Sequence, residues 1–231
     1  MRTPTITSLA LAAAIFLQGA SALADAVPRY PAETPAWTWR QYSAFYFTHY
    51  NTNLALPHRR AAPSRMLFER LISRENIDAI VAAPIGRQAK LAELSKILAA
   101  MGSIRASYNL AVIAGEPLQE ESTEVQVFNL YILATYAELV GDGIFTNPAS
   151  SAMKTAFLGV VQSISEENVY SAAQVARLSD ALARRFTILS PLFPDRERRN
   201  LLRRLALLQS LQNDPRSRDA LARLVSTVAG G

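Results

Sequence analysis

Between Val125 and Val140 the only charge is Glu138, and the apolar residues do not keep to one side of a helix. Val125, Phe128, Ile132, Tyr136 and Leu139 follow one stripe at helical spacing, while Val127, Leu130 and Tyr131 fall on another. A helix that is apolar on several faces has few sides to leave in water, so other elements must enclose it. The enclosing medium is not lipid. The stretch is shorter than the about 20 apolar residues that span a bilayer, and Gln126, Asn129 and Glu138 interrupt it. Phe128 and Ile132 are therefore expected in the core of a multi-helix protein.

The flanking sequence supplies the enclosing helices. Upstream, Leu91, Leu94, Leu98 and Met101 share a face, and Gly102 is read as the end of that helix. Ile104, Tyr108, Ala111 and Val112 form the next helix, to Gly115. Pro117 suits a first turn, with Glu120 and Glu121 favourably placed against the helix macrodipole. Gly141-Asp142-Gly143 ends the central helix, and Asn147-Pro148 starts another that runs to about Ile164. Ser171 and Gln174 have capping-box spacing ahead of Val175, Leu178, Leu182, Phe186 and Leu189. After Pro191 and Pro194, the leucines at 201, 202, 205, 208 and 211 form a seam. Asp214-Pro215 opens a last helix with Leu221, Leu224, Val225 and Val228 inward.

Nearer the start, Trp39, Tyr42, Tyr46 and His49 are helically spaced, and residues 54–64 read as a connection holding Pro57 and Pro63. Ser64 is read as the cap of a short helix with Leu67, Phe68, Leu71 and Ile72. Ser73 begins another through Ile77, Ile80 and Val81, stopped before Pro84. No period-two run bounded by hairpin turns competes. The expected fold is all-α, a bundle of seven to nine helices in a single compact domain over residues 37–231.

What precedes that domain reads as an address. Arg2, the apolar run Leu9 to Leu17 and Ala22-Leu23-Ala24 follow the order of a secretory signal, expected to be cleaved between Ala24 and Asp25. Pro28, Pro31 and Pro35 then make residues 25–36 an extended leader. The mature protein is thus expected to be exported, periplasmic or extracellular, without a transmembrane anchor. With no cysteine, it has no disulfide, thiolate nucleophile or Cys-ligated metal.

Charge is segregated along the chain. Residues 25–105 carry 11 Lys/Arg against 6 Asp/Glu, residues 106–176 carry Lys154 against 8 acids, and residues 177–231 carry 11 arginines against 5 acids. Such a pattern suits either helices of opposite charge within one fold or a basic face for an anionic partner.

Two stretches are candidate binding surfaces. Eight of the 19 aromatics lie between Tyr30 and Tyr50, and Trp37, Trp39, Tyr42 and Tyr46 offer flat faces for a ligand or a membrane interface. The same residues would also suit the aromatic wall of a core. Arg196, Arg199 and Arg203 share a helical face, and guanidinium groups bind phosphates and carboxylates bidentately. Lipid headgroups or acidic glycans are the anions expected outside the cytoplasm, and export argues against a nucleic-acid partner.

Catalytic patterns are sparse. The two histidines, His49 and His58, are too far apart to share a helix face, and no metal motif, nucleophile elbow or phosphate loop occurs. Glu120, Glu121 and Glu124 are the one carboxylate cluster suited to glycan cleavage, though a solvated first helical turn accounts for them as well. Glu121-Ser122 resembles the Glu-Ser pair of lytic transglycosylases over those two residues, without the surrounding motif. The reading that emerges is an exported, non-enzymatic helical protein that binds an envelope component or partner protein, with no cofactor or metal. The alternatives are peripheral attachment to an anionic membrane through the Arg-rich C-terminal helices, and a carboxylate-dependent envelope glycan hydrolase or lyase.

Overall fold

The computed structural model describes residues 38–50, 56–166 and 169–230, which lie in the unit 37–231. The expected signal (1–24), the leader (25–36) and Trp37 lie outside the described residues. Among the described residues there are nine α-helices and no strand. They are α1 (Trp39–His49), α2 (Ala62–Leu71), α3 (Arg74–Ala82), α4 (Arg87–Ile113), α5 (Gln119–Val140), α6 (Ser150–Ser165), α7 (Ala172–Leu189), α8 (Asp195–Ser210) and α9 (Pro215–Gly230). Two 3-10 segments, Gly141–Thr146 and Ser190–Leu192, turn the chain where glycines and prolines interrupt the pattern. The all-α bundle expected from periodicity is the fold.

α5 is the axis. It packs along α4 on one side and α7 on the other, α7 packs on α9, and α9 carries α8. Phe128 and Ile132 are buried, together with Leu130, Leu133, Ala134, Tyr136 and Ala137. Gly141 ends α5 with a positive φ of 66°, a conformation that costs other residues a Cβ clash. α7 begins on the expected capping box: the Ser171 N–H donates to Gln174 Oε1 at 2.9 Å and Ser171 Oγ accepts from the Gln174 N–H at 3.4 Å. At α9, Asp214 Oδ1 accepts the Ser217 N–H at 3.1 Å.

Four expectations about element boundaries are corrected. Gly102 does not end a helix: α4 runs unbroken for 27 residues. A mid-helix glycine costs about 1 kcal/mol relative to alanine, whereas the continuous buried row Leu94, Ile97, Met101, Ile104, Tyr108 and Val112 is worth several times that. Ser64 lies inside α2, whose cap position is Ala61; its Oγ instead accepts the His58 N–H at 2.6 Å and ties down the preceding connection. Asn147 stands one turn before α6, its Oδ1 accepting the Ala149 N–H at 2.9 Å. Leu211 falls beyond α8 and is 62% exposed, so the seam closes at Leu208.

Truncating Phe128 to alanine should lower the unfolding free energy by about 3–5 kcal/mol, since its ring is enclosed on the central helix. Denaturant titration measures this directly, with far-UV circular dichroism confirming that the variant still folds.

Candidate functional site

The described members of the aromatic segment lie inside the protein. Tyr42 and Tyr46 are buried, and burial pushes the Tyr46 hydroxyl pKa up while a hydrogen bond with Ser107 draws it down. Trp39 donates its Nε1–H to the Leu71 carbonyl at 2.9 Å, which fastens α1 to the end of α2. One edge of Trp39 also borders a cavity of about 550 Å³ among α1, α3 and α4. The aromatics therefore act largely as the inner wall of the N-terminal helices.

The arginine face has the opposite placement. Arg196, Arg199 and Arg203 are exposed on α8 and form no ion pair among the described residues. Arg203 donates only to its neighbour Asn200 at 2.5 Å. Arg198, off this stripe, pairs with Asp195 at 2.8 Å, and Lys154 reaches Glu197 at the same distance. Leu207, 60% exposed, extends the stripe by one turn and Leu211 ends it.

The glutamates occupy the first turns of α5, but Glu121 and Glu124 are buried rather than solvated. Glu124 Oε1 accepts from Arg59 Nη1 at 2.6 Å and Arg177 Nη2 at 3.0 Å, and its Oε2 pairs with Arg59 Nη2. Arg177 also pairs with Glu120 at 2.5 Å, while Glu121 Oε1 accepts the Arg59 backbone N–H at 3.0 Å. Two arginines far apart in sequence thus neutralise the acids and bind the 56–61 connection and α7 to α5. Carboxylates whose oxygens are occupied in this way hold structure together, and in the small cavity of about 230 Å³ beside them Glu124 is the one acid among the described residues of the lining, facing Arg59, Arg74 and Arg177. Among the described residues, no group of three or more His, Cys, Asp or Glu is arranged to hold a metal ion.

A different site emerges from the polar stripe of α5. Ser122, Gln126 and Asn129 recur at helical spacing along one face of α5, and all three are buried. This stripe faces the gap between α4 and α6, two helices that flank α5 with no extensive seam of their own. Ser122 Oγ lies 3.0 Å from Asn109 Oδ1 and 2.7 Å from the Tyr170 hydroxyl, which accepts from Gln126 Nε2 at 2.9 Å. Asn109 Nδ2 reaches Ser163 Oγ on α6 at 3.3 Å. Burial pushes the Tyr170 pKa up, against the pull of the hydrogen bonds from Ser122 and Gln126.

One turn further along α5 this network stops and a groove opens. It has a volume of about 650 Å³, with Asn129 and Leu133 from α5, Leu98 and Ala99 from α4, and Ala152 and Met153 from α6 among its lining residues. That volume lies within the about 300–1,000 Å³ usual for small-molecule sites. Asn129 Nδ2 is enclosed and has no hydrogen-bond acceptor. Among the described residues, Arg105 is the only charged one in the lining. Its guanidinium forms no ion pair among the described residues, its Nε has no acceptor, and burial lowers its pKa, partly offset by Tyr170. Gly159 on α6 makes room for it: a Cβ there would stand 2.6 Å from Arg105 Nη1.

Sequence reasoning missed Arg105, Asn129 and Gly159. One signal was present: Gln126 and Asn129 interrupt the apolar stretch Val125–Val140 at positions where amides are costly to bury. No protein-family model, curated protein or solved structure matches this chain.

Proposed function

We propose that this is an exported, non-enzymatic binding protein whose ligand lies in the groove between α4 and α6. The observation that carries the reading is the Asn129 amide, 1% exposed and without an acceptor, in the wall of an open groove. A buried donor left unpaired costs about 1–3 kcal/mol, which a bound acceptor would recover. Arg105, in the same lining and without an ion pair among the described residues, is partly desolvated as well. The signal-like first residues support export, and the absence of a free carboxylate pair in the groove favours binding over glycan cleavage.

Ala152 lines the groove from an exposed position, so a large side chain there fills the space without disturbing the core. The full chain should bind the apolar anion anilinonaphthalene sulfonate saturably at one site, and Ala152→Trp should abolish this at an unchanged melting temperature. Undiminished dye binding by Ala152→Trp would place the ligand elsewhere.

A second reading has its own support. Arg196, Arg199 and Arg203 run in line with exposed Leu207, a cationic and apolar stripe suited to an anionic membrane surface. No helix among the described residues is long and apolar enough to cross a membrane, so such an association would be peripheral. Sedimentation with phosphatidylglycerol vesicles should capture the protein at low salt and release it at high salt. Changing the three arginines to glutamate should eliminate capture; equal recovery with neutral vesicles would rule this surface out.

A further inference from the structure

We infer that the groove between α4 and α6 takes a single-chain amphiphile bearing one carboxylate, with its head on Arg105 and its chain along the apolar wall. This rests on the reading of the groove as the ligand site, and adds the chemistry of the ligand to it. The wall supplies the first part. Leu98, Ala99, Leu133, Met153, Ala152 and Ala156 form an apolar lining, and small side chains on both flanking helices let a slender chain approach the backbone. Ser95, Ser151 and Thr155 are exposed hydroxyl residues at its edge, where solvent and headgroup atoms meet.

Charge supplies the second part. Among the described residues of this lining Arg105 is the one charged side chain, while Glu166 lines the smaller cavity that Arg105 also borders, so a ligand with a single negative charge suits the groove better than a dianion, which would leave an excess within an apolar cleft. A guanidinium presents two parallel N–H donors that match the two oxygens of a carboxylate. The Asn129 Nδ2 donor lies in the same lining and can serve an acceptor on the ligand. The third part is the placement of the guanidinium against α6. Because Gly159 has no side chain, Arg105 from α4 occupies the space where a Cβ would stand. The cation thus lies between the groove and a smaller cavity of about 200 Å³, which it also lines with Gly159, Glu166, Tyr170 and Asn109.

The same observations separate positioning from charge. Gly159→Ala keeps the arginine and suits a helix, but displaces the flexible end of Arg105. Arg105→Gln removes the charge while keeping a polar side chain of related shape.

Isothermal titration of the full chain with sodium decanoate, below its micelle threshold, tests the inference against decanol and decyltrimethylammonium as uncharged and cationic counterparts. Decanoate should bind at one site at least tenfold more tightly than either counterpart. Arg105→Gln should lose at least tenfold in decanoate affinity and bind decanol unchanged. Gly159→Ala should weaken decanoate binding at an unaltered melting temperature, which keeps the test valid should Arg105→Gln fold poorly. Decanol binding as tightly as decanoate, with both variants indifferent, would overturn the carboxylate while leaving the groove as an apolar site. Decanoate binding that survives Ala152→Trp would overturn the groove itself. An absence of binding by all three amphiphiles would overturn the inference, and retained dye binding blocked by Ala152→Trp would show that the groove reading survives it.

Discussion

The enclosure of α5 sets what every other helix has to do. A helix with Val125, Phe128, Leu130, Ile132, Leu133, Tyr136 and Ala137 all withdrawn from water has no solvated face along most of its length. α4 and α7 cover its two sides, α9 and α8 build outward from α7, and Arg59 and Arg177 close its first turns by pairing with Glu124. The ion pairs are at the polar end of the helix and the aliphatic core at the other. Each half depends on the helix being held in one register, because a rotation about its axis would part the buried Glu124 from Arg59 and Arg177.

Enclosure also explains why the groove is chemically unusual. Polar groups on a surrounded helix must find partners inside the protein. Ser122 and Gln126 do so through Asn109 and Tyr170, and Glu121 does so through the Arg59 backbone. Asn129 Nδ2 is an exception, as is Gln126 Oε1 one turn before it, and on α4 the Nε of Arg105, which lines the same groove as Asn129, also has no acceptor. A buried amide donor without an acceptor at 129 costs stability that an apolar side chain would not. Groups that cost stability in the unliganded fold and converge on one open space are what a binding site requires.

Much of the scaffold was legible in the sequence because periodicity and capping are local. The capping box at Ser171, the glycine stop at Gly141 and the burial of Phe128 each depend on neighbours within a few positions. Gly102 misled because its local cost was outweighed by a long buried row that tertiary packing completes. The glutamates of α5 misled for the same kind of reason: Arg59 and Arg177 lie 65 and 53 positions from Glu124, so nothing near them in the chain indicates burial. The α8 arginines were placed correctly on one face, since that follows from helical spacing alone. Arg105 did not stand out in the sequence, because its placement depends on a glycine of another helix that makes room for it.

Amide hydrogen exchange reads the central role of α5 most directly, since it resolves which helices open alone and which only with the whole fold. Amides of residues 125–137 are expected to exchange at the rate of global unfolding. Those of α6, which packs mainly on α7 and only lightly on α5, are expected to exchange faster through local opening. Exchange along α5 as fast as that along α6 or α8 would contradict the enclosure on which both the fold and the groove depend.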